Sequence, residues 1–494
     1  MTKQEAAIKY ITENYLDYRR LRHDIVADKL QVRIAHSLSA PHNATSVIGD
    51  PAEDAALSGY SLEFKGGEYW REMTKHDINS IVCHCAQEYD ANITSREVMT
   101  ALQSDLIPDV HPLREYINAL PRYTPDQPDW IDFVAQQVRV RESSADRPKG
   151  LSERTACCQT TMLLDRPYGA ERPTNLTGEA GLTVSEAHGL TSNSSQSERS
   201  KADRLWRICF KKWFVAMVAS WMKDEVVNHQ VLVLIGRQGI YKTTWLEHLI
   251  PPHLRAYACK LANSNDLNKD ERLRIAEFGL ISLDEIDSMN NRELNQLKSV
   301  ITATDVNERA AYAYTKERRV RLASFCASGN RRDFLTDITG NRRWLPFEVE
   351  SIQNPFFTTL PYERMYAQAW ALAQDPLFSY WFDLDEIEVL EEHNQHFRDE
   401  SNEEQLRPIL FDVPAEGRGE FMTTAQISER LVTYGNIKKP MALSRLGVVM
   451  SSMGYRSVTR GNRQARLRGW IVYQRDAEEI AASKKLLAKE CVTV

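Results

Sequence analysis

Helical spacing of apolar residues alternates along this chain with short runs that are apolar throughout. Residues 3–16 put Ala7, Ile8, Ile11 and Tyr15 on one helical face, and Asp24 to Ile34 reads as extended chain. Residues 37–60 are small and polar and read as a loop or linker. Helical spacing returns between Tyr69 and Leu120, over Asp77–Cys83 and over Thr94–Leu102. The second of these opens on the capping signal Thr94-x-x-Glu97. Pro108, Pro112, Pro121, Pro125 and Pro128 punctuate the next stretch of chain. A long core helix begins at Ala202 and carries Trp206, Ile208, Phe210, Trp213, Val215, Val218 and Trp221. Val231–Ile235 is apolar at every position and reads as a buried strand. Trp245, Leu246, His248 and Leu249 predict a helix just after it. Two further strands are predicted at 278–283 and 321–330. Near the C-terminus, 423–431 and 442–453 predict helices, and 455–459 and 468–473 predict strands around the basic turn 460–466.

Composition narrows the classes. The 494 residues leave room for about three domains. Residues 142–200 are rich in Ser, Thr, Gly and Asn, hold no period, and read as a flexible linker or insert. The net charge of −6 excludes a polycation, so nucleic-acid binding requires a local basic patch. The eight cysteines are scattered, and neither Cys83-His-Cys85 nor Cys157-Cys158 has zinc-ligand spacing. Reduced thiols and a cytoplasmic setting are expected. Met1-Thr-Lys-Gln-Glu is polar and shows no leader pattern. No apolar run spans a membrane: the longest, Trp213 to Met222, is bounded by Lys212 and Lys223.

Chemistry concentrates where the apolar strand 231–235 ends. There stands Gly236-Arg-Gln-Gly239-Ile-Tyr241-Lys242-Thr243-Thr244. Strand, glycine loop, lysine, hydroxyls and helix together make a phosphate cradle of backbone N–H groups with one mobile cation. Tyr241 stands where the usual pattern has glycine. Thr243 is placed to hold Mg²⁺. About forty residues on, the strand 278–283 ends in Asp284-Glu285. Asp284 suits the Mg²⁺ shell, and Glu285 suits activation of a water. The next predicted strand ends in Asn330, a candidate γ-phosphate sensor or a plain turn residue. Thr339-Gly-Asn-Arg342-Arg343-Trp344 comes next, and its arginines suit phosphoryl charge in a neighbouring subunit or a solvent-facing basic turn. Between these elements Lys298, Arg309, Lys316 and Arg318 lie among Tyr312 and Tyr314, a mixture that fits a DNA-touching hairpin or a solvated one.

This ordered set resembles the virulence-associated protein E family, which is related to superfamily 3 helicases and poxvirus-type primase-helicases. The motifs that carry the resemblance are 236–245, 278–285, Lys298 with Arg309, 328–330 and 339–344. They cover 200–350 firmly, and 1–140 and 360–475 more loosely. The resemblance implies an AAA+-like P-loop ATPase core; with the elements read above, the fold expected is α/β, that core with a helical N-terminal region and a C-terminal winged-helix-like domain. It further implies ring assembly and a role in replicating phage, plasmid or integrative elements. Residues 1–140 show no acidic triad, so priming is not implied.

The division expected is 1–141 N-terminal and mainly helical, 142–200 linker, 201–360 ATPase core, 361–404 helical acidic connector, 405–476 basic winged-helix-like domain and 477–494 tail. Residues 383–404 hold ten acidic residues against one basic, and read as a solvated helix and linker. Residues 418–475 hold eleven basic against two acidic. Arg460, Arg463 and Arg466 are expected to meet DNA phosphates, with the second helix facing a groove. A protein-contact role for this domain remains the alternative. The reading is Mg²⁺-dependent ATP hydrolysis coupled to DNA, by a self-assembling protein without a membrane partner. Gly236, Gly239, Tyr241, Lys242, Thr243 and Thr244 bind nucleotide, Thr243 and Asp284 hold Mg²⁺, and Glu285, Asn330, Arg342 and Arg343 act in catalysis. The rival is a nucleotide-driven signalling or anti-phage scaffold.

Overall fold

A computed structural model describes residues 2–17, 19–35, 68–89, 92–141, 201–261, 269–308, 317–335, 341–398, 401–414, 419–462 and 465–483. The expected loop at 37–60 and the linker at 142–200 lie outside them. The described residues divide into two compact units. One holds those up to Asn330 together with Arg343–Glu386; the other holds those of Arg331–Arg342 and from Ile387 onward.

The first unit opens with a four-stranded sheet formed by β1 (Leu21–Asp24), β2 (Lys29–Ala35), β3 (Glu68–Glu72) and β4 (Asp109–Val110), in the order β3-β2-β1-β4. The stretch 24–34, expected as one extended run, is a hairpin instead. Asp24 causes the reversal: its carboxylate accepts from the N–H groups of Val26 and Ala27 at 3.0 and 3.2 Å. Asp28 then turns the chain at φ +55°. Helices Lys3–Ile11, Lys75–Tyr89 and Ser95–Leu102 cover the sheet with Ala7, Ile11, Ile81, Val98 and Leu102.

The second sheet has six strands: β5 (Val138–Val140), β6 (Val231–Ile235), β7 (Ala258–Leu261), β8 (Leu280–Leu283), β11 (Ser324–Gly329) and β12 (Trp344–Ile352). A separate antiparallel pair, β9 (Asp305–Glu308) and β10 (Glu317–Val320), precedes β11 in the chain. The six-stranded order is β5-β12-β6-β11-β8-β7. All neighbours run parallel except β5, which lies antiparallel on β12 and comes from residues before 201. β6, β8 and β11 are buried at every position, as parallel strands covered on both faces must be.

Helix Lys201–Met222 carries charge in its first half but is apolar nearly all round from Trp213, and that half lies inside. Its indoles are anchored as well as buried. Trp206 donates to Ala135 O at 2.9 Å, Trp213 to Phe325 O at 3.1 Å and Trp221 to Gly279 O at 3.1 Å. These bonds fix the helix against β11 and against the segment leading into β8. Lys212, also buried, pairs with Glu386 at 2.5 Å.

The apolar pattern puts Arg321 inside the third strand, but β11 begins only at Ser324. The arginine is 1% exposed and bonds to backbone carbonyls alone: Ala323 at 3.1 Å, Ala303 at 3.2 Å, Asn228 at 2.9 Å, and Ile301. It thereby clasps the end of helix Asn291–Thr302 to the segments entering β6 and β11. Truncation leaves several buried carbonyls without donors, each costing about 1–3 kcal/mol. Arg321→Ala is therefore expected to lower stability by about 3 kcal/mol or more, read as a fall in the urea midpoint. An unchanged midpoint would refute the clasp.

The second unit contains helix Asn402–Leu410, β13 (Phe411–Asp412), β14 (Glu420–Thr423), helices Thr424–Gly435 and Leu443–Ser452, and the long hairpin β15 (Arg456–Asn462) and β16 (Ala465–Gln474). Ile427, Leu431, Leu446, Met450 and Trp470 form its core. The acidic stretch is not solvated throughout. Glu404 is buried against Arg398 at 2.8 Å, and Glu403 accepts from Met441 N at 2.6 Å. A carboxylate can be buried here because each meets a charge or an N–H group.

Candidate phosphate-binding site

The C-terminal ends of β6, β11 and β8 bring the candidate residues of the first unit together. β11 lies between the loop strand β6 and the acidic strand β8. Gly329 pairs with Ile235, and Ala327 with Leu283. Residues 236, 330 and 284 therefore all leave the sheet on one edge, where ligands of open parallel sheets gather.

Two glycines allow the loop to form. A Cβ on Gly236 would lie 2.7 Å from Val349 O of β12. Gly239 takes φ +84° with nothing within 4 Å of its missing Cβ, so the loop is open on that side. Tyr241 then adopts φ +67° as the residue before helix Lys242–His248. Glycine is usual at such a left-handed position, and a tyrosine there holds backbone strain of about 1 kcal/mol or more.

Lys242 is 7% exposed and its ammonium turns back onto its own loop. It donates to Gly236 O at 2.8 Å, Arg237 O at 2.7 Å and Asn330 Oδ1 at 3.3 Å. Burial lowers its pKa, opposed by the charges of Asp287 and Asp284. Thr243 Oγ1 lies 3.3 Å from Asp284 Oδ1 and 3.0 Å from Ser328 Oγ. Ser328 donates to Asp284 Oδ1 at 2.6 Å. Lys260, on β7, reaches the other carboxylate oxygen at 2.8 Å. Burial pushes the Asp284 carboxyl up, but the hydrogen bonds from Lys260, Ser328 and Thr243 and the Lys260 charge outweigh it and hold the pKa low. Glu285 is exposed and takes φ +52°, a second strained residue at this edge. Thr244 is half-buried, and its carbonyl lies 2.7 Å from His248 Nδ1.

Residues 188–404 match the family model of the virulence-associated protein E-like domain. That match covers the loop, the Asp-Glu strand end and Asn330. Solved structures of the apo NrS-1 C-terminal region are also similar. One is 10% identical with a TM-score of 0.39, covering 95% of this chain and 99% of that one. Another is 11% identical with a TM-score of 0.36, covering 92% and 98%. Comparison with curated proteins returns no match.

Asp287 and Lys260 escape a reading of the sequence, and Ser328 enters it only within the motif 328–330, with no role of its own. Ser328 interrupts an apolar strand, and that interruption is the available signal. Asp287, whose carboxylate accepts from Asn330 N at 3.1 Å, stands three residues after Asp284. Lys260 gives no signal, since one lysine in a strand is unremarkable.

Other candidates lie elsewhere. Arg343 directly precedes β12, whose first residue, Trp344, pairs with Val231 at the start of β6. It therefore stands at the opposite edge of the sheet from its own loop, about 13 Å of strand away. Arg342, the residue before it, is exposed. Lys298 is half-buried in helix Asn291–Thr302, and Arg318 is exposed and pairs with Asp305. Arg309, Lys316 and Arg463 lie outside the described residues. Arg460 sits over the Phe421 ring at 4.7 Å. Arg466 lies on β16, exposed on the opposite face of the hairpin, because Arg460 pairs with Leu467. On the second helix the exposed positions, Leu443, Ser444, Val448, Ser451 and Ser452, are apolar or small.

Among the described residues no three His, Cys, Asp or Glu side chains cluster as metal ligands, and no helix is long and apolar enough to cross a membrane.

Proposed function

We propose that the chain hydrolyses ATP with Mg²⁺ and couples this to DNA in the replication of a mobile element, as a helicase or replication-initiation ATPase. The observation that carries the reading is the convergence of Lys242, Thr243, Asp284, Ser328 and Asn330 at the ends of neighbouring parallel strands. In this reading the core is an AAA+-like P-loop fold. Lys242 exchanges its loop carbonyls for β- and γ-phosphate oxygens. Mg²⁺, held through Thr243 and Asp284, would neutralise phosphate charge. These are hard oxygen donors, and the remaining positions suit water and phosphate. Glu285 takes a proton from the attacking water, and Asn330 orients the γ-phosphate. Lys260 shares Asp284 and keeps it ionised. Arg342 or Arg343 serves a neighbour's nucleotide in a ring, which the position of Arg343 opposite its own loop supports. Hydrolysis of ATP by the purified chain, its dependence on Mg²⁺ and its stimulation by DNA test the reading together.

The second unit is proposed as a winged-helix DNA module. The exposed basic residues of the hairpin, rather than the second helix, supply phosphate contacts. Reversing charge at Arg460, Arg463 and Arg466 in the full chain is expected to weaken duplex binding. It should also flatten the slope of log K against log salt by about 2–3, because fewer counterions are released. Fluorescence anisotropy across a salt series reads both. An unchanged slope would remove the hairpin from the interface. The exposed Leu443 and Val448, 49% and 46% exposed, favour a second reading in which this unit docks protein within a nucleotide-driven scaffold. ATP turnover indifferent to DNA would support that rival.

A further inference from the structure

Beside the phosphate loop stands an aromatic group that the hydrolytic chemistry leaves unused. Phe356 and Phe357 are 60% and 89% exposed, on the segment just after β12. The segment is tied down rather than loose. Asn354 donates from its amide to Tyr241 Oη at 3.4 Å and accepts from Phe356 N at 3.0 Å, and Thr358 donates to Asn354 O at 3.1 Å. Phe356 meets Tyr241 with centroids 6.4 Å apart at 82°, and His248 at 5.5 Å and 86°. Both neighbours approach edge to face, and more than half of the phenylalanine surface stays open to solvent.

Tyr241 is the left-handed residue that caps the helix beginning at Lys242, and Thr244 and His248, spaced i, i+4, share one side of that helix. Phe356 touches the first and the last of them. The platform therefore runs from the phosphate end of the helix along the side that carries Thr244. A nucleotide held by its phosphates at 236–244 has its base tethered through the ribose within reach of that side. Two polar groups nearby are engaged: His248 Nδ1 with Thr244 O, and the Asn354 amide with Tyr241 and Phe356. The open part of Phe356 is a π surface, which suits stacking.

We propose that Phe356, braced by Tyr241 and His248, stacks the base of the nucleoside triphosphate whose phosphates lie on the loop Gly236–Tyr241. The assignment rests on the nucleotide reading above and adds the residue that fixes the base. The test compares ATP with inorganic tripolyphosphate, which has the phosphates and no base, by calorimetric titration of the full chain with Mg²⁺. Phe356→Ala is expected to weaken ATP about tenfold and to leave tripolyphosphate within about twofold. Phe356→Tyr, which keeps the ring, should restore ATP affinity. ATP binding that depends on Lys242 but ignores Phe356→Ala overturns the stacking proposal alone. Equal losses for ATP and tripolyphosphate overturn it too, since they would mark a deformed loop. An unmodified chain that binds neither ligand removes the nucleotide reading itself.

Discussion

Lys242→Ala is expected to lose nucleotide binding by on the order of 100-fold or more, while Glu285→Gln binds nucleotide normally and barely turns it over. The two outcomes differ because the side chains differ in place and charge. Lys242 is buried, and its ammonium already links the loop to the end of β11 through Gly236 O, Arg237 O and Asn330 Oδ1. Alanine removes the cation and those links together. Glu285 is exposed beyond the strand end, apart from those three bonds, so the amide leaves the cradle intact. It cannot accept a proton from water, and general-base loss of this kind slows turnover by about 10²–10⁴-fold. Equilibrium binding and phosphate release, measured on both variants, check the pair. Full turnover in Glu285→Gln would remove Glu285 from the role of base.

The second large effect concerns Arg342 and Arg343. If either completes a neighbour's site, its alanine variant binds ATP normally and hydrolyses it about 10³-fold more slowly. Mixing that variant with Lys242→Ala protein should restore part of the turnover, because some interfaces then join an intact loop to an intact arginine. Each protein alone stays inactive. The register of β12 against β6 leads to this expectation, since Arg343 stands at the far edge of the sheet from its own loop. No recovery in subunits shown to exchange would assign the arginines a structural role.

Much of the candidate site is legible in the sequence because its residues sit where a wholly apolar strand stops. Val231–Ile235 and the strand before Asp284 are buried on both faces, so the first reads as an unbroken apolar run and the second as one broken only by Ser282, each with its polar residues just beyond the end. Lateral order is different. That β11 lies between β6 and β8 depends on crossovers that local pattern does not encode, and Ser328 as the bridge from Thr243 to Asp284 emerges only from that order. The hairpin at Asp24 is hidden because its turn uses a side chain bonding to its own backbone, with no glycine or proline to mark it. Glu403 and Glu404 read as solvated because composition says nothing about Arg398 or the Met441 N–H group that receive them. Arg321 reads as part of a strand that starts three residues later, since a buried arginine held by carbonyls alone has no charge partner in the sequence to reveal it.

The most direct test of the central claim is phosphate release by the purified full chain given ATP, with and without Mg²⁺ and duplex DNA, beside the Lys242→Ala variant. The account predicts Mg²⁺-dependent release that rises with DNA and is absent from the variant. ATP left intact by the unmodified chain, or equal release from Lys242→Ala, would contradict it.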